Sequence, residues 1–484
     1  MNLKSSWKIF LVAMLLVAGQ LSAQDNGGTV ASDGPLSLEQ CIDYALANSI
    51  SAQNATLDEQ IAVAKVKETV GIGLPQISGS ASVNHNQKLQ RFFSQYYPGS
   101  PFGPTEQDAI QYGVNQGDVF AAPNFFQLRS SGDVSATINQ IIFNGSYIVG
   151  LQASNTYKEL SQKTTEQTRE TIVEQVTKAY YSVLINNERM QLFDANIARV
   201  DSLLRNTRAL NISGFAEKID VDRIQVSFNN LVTERDKFSN LNALGLALLK
   251  FQMNYPMDQP IEVAGTIQDI QLDPIEKLDG SDWDYKNRPD YKVLQVNKRL
   301  QELTIKNLYA EALPSLNAFA TLGYGTQSNG IGGVFKTNSG FEENDDFGPD
   351  KWYDYSQFGL RLNVPIFGGL QRTYKIQQEK LTLQKLDNGF KSLENLIDLE
   401  IQQSYLNFDN AQKSLASQEE NMELAESIAR VTKIKYEQGV GSNLEVIDAE
   451  NSLRNAQTNY YSALYDAIVA KVDLDKAKGL LIKE

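Results

Sequence analysis

Two long helical patterns meet at residues 436–450, which read Tyr-Glu-Gln-Gly-Val-Gly-Ser-Asn-Leu-Glu-Val-Ile-Asp-Ala-Glu. Gly439 suits the left-handed position that ends a helix, and Ser442 or Asn443 can cap the helix that follows. The arm before the turn, Gly369–Gln438, holds no proline and one internal glycine. At about 1.5 Å per residue, an arm of about 70 residues is roughly 105 Å long, more than a compact domain needs.

Apolar residues recur along both arms at the spacings of three and four that bring one helix against another. In the first arm they are Leu386, Phe390, Leu393, Ile397, Phe408, Ala411, Leu415 and Met422. In the second arm, Leu444–Lys478, they are Leu444, Ile447, Leu453, Tyr460, Leu464, Ile468, Val472 and Leu474. The sequence therefore predicts a long helical hairpin.

Four shorter segments alternate with a period of two. After Leu74-Pro75, apolar or small residues at 77, 79, 81 and 83 alternate with polar ones. The corresponding residues of the other segments are Val134, Ala136 and Ile138, then Leu316, Ala318, Ala320 and Leu322, then Phe358, Leu360, Leu362 and Val364. This alternation predicts strands with water on one face and an apolar environment on the other.

The order of these elements occurs twice along the chain. Residues 36–254 and 288–484 each read as helix, strand, loop, strand, long helix, turn and helix, and a connector at 255–287 separates them. Paired landmarks are Leu74-Pro75 and Leu313-Pro314, Ile142–Gly145 and Ile366–Gly369, and Gly214 and Gly439. The first helix is predicted over 37–71, and the loops between strands over 87–131 and 325–351. Repetition of a whole supersecondary unit indicates an internal duplication.

The N-terminus has the pattern of a cleavable signal peptide. Lys4 and Lys8 precede the short apolar run Ile9–Ala18. Residues 1–23 are therefore predicted to be removed, and residues 24–35 to form a mobile lead. Cleavage removes two lysines and no acid, so the net charge changes from −14 to −14 − 2 = −16. An acidic exported protein lacks the basic footprint of nucleic-acid binding.

Cys41 and His85 are the only cysteine and the only histidine. A single cysteine excludes an intrachain disulfide. One cysteine and one histidine are too few for a His/Cys metal site, and they do not provide the expected partners of a Ser-His or Cys-His catalytic arrangement. After the signal, no apolar run reaches the roughly 18 residues that a transmembrane helix needs. We therefore expect no cofactor and no membrane-spanning helix.

Four amphipathic strands cannot close into a barrel within one chain. Because backbone groups in hydrocarbon must all be paired, an open sheet edge is not tolerated there. Transmembrane barrel strands have the same alternating pattern, so the four strands would need partners from other copies of the chain. The alternative is a small soluble sheet packed on the helices, which leaves the length of the helices unexplained.

The order of elements and two local motifs resemble the TolC-type outer-membrane efflux family. The motifs are residues 436–450 and the run Leu-Ser-Leu-Glu-Gln-Cys-Ile-Asp-Tyr-Ala-Leu at 36–46. The resemblance covers about residues 36–479 and implies a mixed α and β membrane protein. It implies a homotrimer whose 12-stranded transmembrane β-barrel, four strands per chain, continues as a periplasmic α-helical barrel. An equatorial layer would include residues 255–284 and the C-terminal end.

The same resemblance implies a passive conduit without a catalytic centre. Such a protein docks an inner-membrane pump of the RND, ABC or MFS type, or a secretion ATPase, through a periplasmic adaptor. The resemblance also assigns adaptor docking to the hairpin tips, at Gly214, Gly439, Val440, Gly441 and Ser442. The transported cargo is not readable from the sequence, because selectivity in this family lies in the pump.

A periplasmic gate is implied just after the second tip. Glu445 and Asp448 match two acidic positions of the family's constriction, and three copies would form an acidic ring. Tyr436 and Asp220 match residues that tie neighbouring helices and keep the entrance shut. Gly441 departs from the family, because some members carry a basic link residue after the turn glycine.

Other interpretations stay open at this point. The tip glycines can be simple helix stops, and Glu445 and Asp448 can merely favour a helix start, where carboxylates are stabilised. Residues one turn apart share a helix face, so the same acids could act as the paired carboxylates of an enzyme. A coiled-coil scaffold, soluble or surface-associated like an adhesin, is the other alternative. Loop residues Phe92, Phe93, Asp345 and Asp346 could bind a ligand or a phage-like partner, but a solvated surface loop is the simpler interpretation.

Overall fold

The computed structural model describes residues 34–101, 103–124, 126–266, 272, 283–336 and 352–482. The predicted signal peptide, nearly all of the predicted lead, and parts of the connector and of the loop 325–351 lie outside these residues. The chain divides into two compact units. The tip unit holds the residues up to Ser49, Gln175–Gln271 and Asn421–Tyr465, and the sheet unit holds Ile50–Glu174, Leu272–Glu420 and the residues from Asp466 onward.

The described residues form eight α-helices. They are α1 (Leu38–Asn48), α2 (Ile50–Ile72), α3 (Glu106–Tyr112), α4 (Gly145–Ile212), α5 (Lys218–Met253), α6 (Pro289–Ala310), α7 (Gln371–Glu437) and α8 (Asn443–Ala477). The hairpin α7–α8 is confirmed within a few residues of its predicted bounds. Across the described ranges, no helix is both long enough and apolar enough to span a bilayer.

The prediction of one continuous helix over 37–71 is wrong, because the chain breaks between α1 and α2. Ser49 is extended, with φ −62° and ψ 143°. The break frees the carbonyl of Asn48, which accepts a hydrogen bond of 3.0 Å from Asn254 Nδ2. This tertiary partner compensates the lost helical bond. The predicted start is confirmed, since Ser37 and Gln40 form a reciprocal capping box.

The sheet unit contains a four-stranded antiparallel sheet in the order β1-β4-β5-β6. The described strands are β1 (Gln76–His85), β2 (Phe92–Gln95), β3 (Val119–Ala122), β4 (Ser130–Phe143), β5 (Ser315–Ser328) and β6 (Tyr353–Asn363). All four predicted strands are thus present, and they pair with one another. Within the described chain β1 and β6 each have one neighbour, so the sheet has two open edges.

The register gathers the apolar positions of the four strands on one face. One row across the sheet is Ile77, Ile138, Ala320 and Phe358, and the next is Gly79, Ala136, Leu322 and Ser356. The opposite face carries rows such as Ser78, Thr137, Thr321 and Gln357. Ile77 is 70% exposed and Phe358 is 86% exposed, so the described residues of the chain do not cover the apolar face.

The prediction of a plain loop over 87–131 is wrong. This segment folds into the two-stranded ribbon β2–β3 and the helix α3, and β4 starts at Ser130. A small core of Tyr96, Ala109 and Phe120 holds the insert together. Each element is too short to show a period in the sequence. The prediction for 325–351 also needs correction, because β5 continues to Ser328 and a 3-10 turn follows at Ile331–Phe335.

Each unit has its own apolar cores. In the tip unit, Phe193, Val200, Leu204, Ile224 and Leu231 join α4 and α5, and Ala425, Ala429, Ala449 and Leu453 join α7 and α8. In the sheet unit, Phe408 packs with Ala470 and Leu474. Leu444 was predicted on the apolar seam but is half exposed. Asn443, at the first position of α8, is the residue that is buried instead.

The connector is partly described. Val263 pairs with Leu36 in a parallel bridge, with Leu36 N donating to Glu262 O at 2.8 Å and Ala264 N donating to Leu36 O at 2.8 Å. The Tyr180 hydroxyl donates to the carbonyl of Ala264. These bonds fix the segment before α1 against the segment that follows α5.

Candidate functional site

Helices α4 and α7 end in the same backbone arrangement, each at one of the two turns of the tip unit. Gly214 has φ +79° and Gly439 has φ +75°, in the left-handed region. Phe215 N donates to Leu210 O at 2.8 Å, and Val440 N donates to Lys435 O at 3.0 Å. These bonds over five residues, with a left-handed glycine before the donor, form the Schellman motif that closes a helix.

The tips expose large apolar side chains. Ile212 is 87% exposed, Phe215 is 82% exposed and Val440 is 79% exposed. A Cβ atom added at Gly214 or Gly439 would have no heavy atom within 4 Å. The tips are therefore open, partly apolar surfaces, which sequence periodicity did not reveal for Ile212 and Phe215.

Gly441 and Ser442 complete the second turn. A Cβ atom at Gly441 would lie 3.0 Å from Tyr436 N and 3.1 Å from Lys435 Cβ, so a side chain there would press on the end of α7. Ser442 Oγ accepts a hydrogen bond of 3.2 Å from Glu445 N, which makes Ser442 the cap of α8. Of the two predicted caps, Ser442 is the one that the structure uses.

Glu445 and Asp448 lie on the exposed side of the first turns of α8, whereas Val446 and Ala449 between and after them are buried. Among the described residues, neither carboxylate forms a hydrogen bond or an ion pair. The two acids therefore share a free helix face within this chain. A carboxylate near a helix N-terminus is also stabilised by the helix dipole. The position of these acids therefore fits both a gate and a simple helix start.

Tyr436 and Asp220 both contribute to ties between helices, but they do not contact one another through their side chains. The Tyr436 hydroxyl lies 3.1 Å from Thr207 Oγ1 and so joins α7 to α4. The Asp220 backbone carbonyl accepts a bond of 3.0 Å from Asn443 Nδ2. The Asp220 carboxylate instead accepts a bond of 3.4 Å from Glu217 N and closes the start of its own helix.

The sequence did not predict that two buried polar residues take part in these ties, since it indicated Asn443 only as a possible helix cap and did not indicate Thr207. Thr207 is fully buried and Asn443 is 6% exposed. Asn443 Oδ1 is buried and has no hydrogen-bond partner among the residues that the structure describes. A threonine and an asparagine near helix ends are ordinary residues, so no sequence signal singled them out.

Further polar contacts join α4 to α8 above the tip. Arg199 Nε lies 3.5 Å from Glu450 Oε2, and the Glu450 side chain is only 11% exposed. Asn196 Nδ2 donates to Gln457 Oε1 at 3.1 Å. Arg189 donates to Ser462 Oγ at 2.7 Å. We call these three contacts the α4–α8 polar ties.

The polar ties lie beside Tyr461, whose side chain is partly buried. Burial, together with the negative charge of Glu188 and the neighbouring Tyr460, raises the pKa of Tyr461 to about 12. Its hydroxyl therefore stays protonated at any physiological pH. Over the part of the chain that the structure describes, no group of three His, Cys, Asp or Glu side chains could hold a metal ion. What the site offers is a set of helix ties and two exposed acids.

Known proteins resemble this chain along most of its length. Residues 285–480 match the family model described as outer membrane efflux protein. Outer membrane protein TolC of Vibrio cholerae serotype O1 is 21% identical over 379 residues, which are 77% of this chain and 81% of that protein. Solvent efflux pump outer membrane protein SrpC of Pseudomonas putida is 22% identical over 324 residues, which are 64% of this chain and 62% of that protein.

The fold is also similar to a solved structure. The crystal structure of CusC, described in terms of its folding and transmembrane channel formation, superposes with a TM-score of 0.67 at 15% identity and covers 91% of both chains. At that identity the likeness concerns the fold alone. The family model and the relatives thus support the outer-membrane efflux family predicted from the sequence, and the solved structure supports its fold.

The Arg199–Glu450 tie should contribute measurably to stability. In Arg199→Met, Glu450 would stay largely buried without its partner, so we expect a loss of about 1–3 kcal/mol. Denaturant unfolding in detergent measures this change, and amide exchange should be faster around residue 199 and around residue 450.

The matched control is Arg205→Met on the same helix. Arg205 pairs with Asp201 at 3.2 Å, and its side chain is 70% exposed. Such a surface pair contributes at most about 1 kcal/mol. Equal effects of the two changes would contradict a stabilising role for the α4–α8 tie.

Proposed function

We propose that this chain, a TolC-type outer-membrane efflux protein, is the outer-membrane channel component of a tripartite efflux or type I secretion system. It acts as a passive conduit rather than an enzyme. The observation that carries the proposal is the four-stranded sheet, which has two open edges and an uncovered apolar face. The relatives named as outer-membrane and efflux proteins support the location in the outer membrane and the transport role.

The sheet supports closure by other copies of the chain. A strand edge that enters hydrocarbon must find hydrogen-bond partners, and a closed barrel provides them. The edges β1 and β6 of neighbouring copies would pair, so three chains would give a barrel of 12 strands. The apolar rows would then face lipid, and the polar rows would face the lumen.

An uncovered helical stripe supports the same assembly. Leu424, Ile428, Val431 and Ile434 recur at helical spacing on α7, and each is about half exposed in the single chain. An exposed apolar stripe of this kind can pack against another helix. In the proposed trimer, α4, α5, α7 and α8 of the three chains form the periplasmic α-helical barrel. The described parts of the connector and the end of α8 would contribute to its equatorial layer.

The two halves of the chain support an origin by duplication. The helices and strands of residues 38–253 and of residues 289–477 follow each other in the same order, apart from the insert β2–α3–β3 and the break between α1 and α2. Two related halves would place two similar strand pairs and two similar helical hairpins in each chain. That arrangement gives the proposed trimer a pseudo-sixfold ring of hairpins.

Trimer formation is tested by native mass spectrometry of the mature protein in detergent. We expect a mass of three chains that survives mild activation, because each sheet edge is paired only in the closed assembly. A stable monomer that stays soluble without detergent would contradict the barrel and favour a scaffold protein.

We propose that the two tips bind a periplasmic adaptor, which connects the channel to an inner-membrane pump. The exposed side chains of Ile212, Phe215 and Val440 offer apolar contact, and the open glycines let another backbone approach. Gly439→Trp should leave the trimer yield intact and abolish export. Export by a strain that depends on this channel is the measurement.

Gly439→Ala is the matched control for that substitution. Alanine brings the same backbone strain at a positive φ without the bulk, so it separates a distorted turn from a blocked surface. Normal export with tryptophan at this position would remove the docking role of the second tip.

We propose further that Glu445 and Asp448 form an acidic ring at the periplasmic entrance. Three copies would bring six carboxylates around one axis, and clustered charge of one sign attracts ions of the opposite sign. Tyr436, Thr207 and the Asp220–Asn443 bond would hold the hairpins in place around this ring. Because Gly441 provides no basic side chain, closure of the entrance relies on the Tyr436–Thr207 and Asp220–Asn443 hydrogen bonds.

Channel recordings in planar bilayers test the ring. The double change Glu445→Ala and Asp448→Ala should lose cation selectivity and block by multivalent cations, while conductance persists. The control pair is Glu423→Ala and Glu426→Ala on α7, which removes equal charge at the same spacing outside the proposed ring. If selectivity and block survive the first pair of changes, the gate assignment is wrong.

A further inference from the structure

A cavity of about 300 Å³ lies in the sheet unit. Side chains of α4, α6, α7 and α8 line it, together with Arg288 just before α6. Its charged lining residues besides Glu170 are Glu174, Arg288, Asp290, Glu400, Asp473 and Lys476. Carboxylates therefore outnumber cationic side chains around the cavity.

Both cationic side chains are already paired. Arg288 Nη2 donates to Asp290 Oδ2 at 2.6 Å, and its Nη1 donates to Glu400 Oε2 at 2.6 Å and to Ala477 O at 3.2 Å. Lys476 Nζ donates to Glu174 Oε2 at 2.6 Å. Because Arg288 and Lys476 make these bonds, neither of them pairs directly with a further carboxylate of the cavity.

Glu170 is the carboxylate that lacks such a partner. Its residue is 9% exposed, it lines the cavity, and among the described residues its side chain forms no hydrogen bond and no ion pair. Burial raises the pKa of Glu170 to about 7, although the charges of Lys476 and Arg288 act in the opposite direction. A buried, ionised carboxylate is costly unless a cation or hydrogen-bond donor meets it.

We propose that this cavity binds a small organic cation whose ammonium group pairs with the Glu170 carboxylate. The volume is at the lower end of the range for ligand pockets, which suits a short amine rather than a drug-sized molecule. An ammonium group supplies three hydrogen-bond donors and a full positive charge to an acceptor-only group. A metal ion fits less well, since no group of three ligating side chains comes together over the described residues.

Binding of the cation competes with binding of a proton at Glu170. Below pH 7 the carboxyl group is protonated in the empty cavity, and the cation must displace that proton. Affinity is therefore full above the raised pKa and falls by about tenfold for each pH unit below it. An exposed glutamate, which titrates near pH 4, would show almost no change between about pH 8 and about pH 6.

The probe is putrescine, a four-carbon diamine, and the measurement is titration calorimetry on the full mature chain in detergent. We expect saturable binding of one putrescine per chain at about pH 8, and roughly tenfold weaker binding at about pH 6. The neutral analogue 1,4-butanediol should not bind. The measurement does not involve transport, so its outcome is independent of the proposed channel function.

Glu170→Gln keeps the shape of the side chain and removes its charge. It should weaken putrescine binding at least tenfold at about pH 8 and abolish the pH dependence. The matched control is Glu68→Gln on α2, an exposed glutamate outside the cavity that pairs with Lys65. Equal oligomeric size of the variants in detergent shows that folding is intact.

Three results would overturn the proposal. One is the absence of saturable putrescine binding at high pH, and another is unchanged binding in Glu170→Gln. The third is binding of butanediol as tightly as putrescine, which would indicate that the cavity does not recognise charge.

Discussion

The hydrogen bonds at the two open edges of the four-stranded sheet are the constraint on which the rest of the proposed structure depends. β1 and β6 each have one partner within the described chain. Soluble proteins protect such edges with charges, prolines or bulges. β1 reads Gln-Ile-Ser-Gly-Ser-Ala-Ser-Val-Asn-His, with none of the usual charges or prolines and with every residue exposed. The edge therefore has the character of a surface that pairs with another strand.

The two faces of the sheet give the same indication. Direct cross-strand pairing puts most apolar residues on one face, as in the row Ile77, Ile138, Ala320 and Phe358. A shift by one residue would reverse the two faces. In a soluble protein such an apolar face would be packed on a core. Here its large side chains remain uncovered in the chain, which suits a lipid environment and the channel role that we propose.

The tip unit is held by a different kind of interaction. Its α7–α8 core consists of three alanines and Leu453. Buried polar side chains set which positions of the helices face each other. A buried polar group needs one particular partner, and this need favours one register over others. Asn443 Oδ1 lacks such a partner, and leaving a buried acceptor unpaired costs about 1–3 kcal/mol.

The buried charged groups of the sheet unit make a different kind of contact from the asparagine and threonine side chains of the tip unit. Arg288 satisfies two carboxylates and one carbonyl, and it links the start of α6 to α7 and to the end of α8. Pairing of this quality offsets much of the cost of desolvating the ions. Glu170 stands outside this pairing, and for that reason it is the group in the cavity that can respond to a ligand or to a proton.

The sequence by itself determined the long helices, the four strands and the two turns, because each has a period or a breaker that is readable locally. Leu74-Pro75, the alternation at 77–83 and Gly439 are examples. It could not predict the insert over 92–122, whose short elements depend on the contact of Tyr96 with Ala109 and Phe120. Nor could it predict the break at Ser49, which depends on a hydrogen bond from Asn254. Only the tertiary structure decided which acids are exposed, as Glu445 and Asp448 are, and which is buried without a partner, as Glu170 is, since those properties arise from residues distant in the chain.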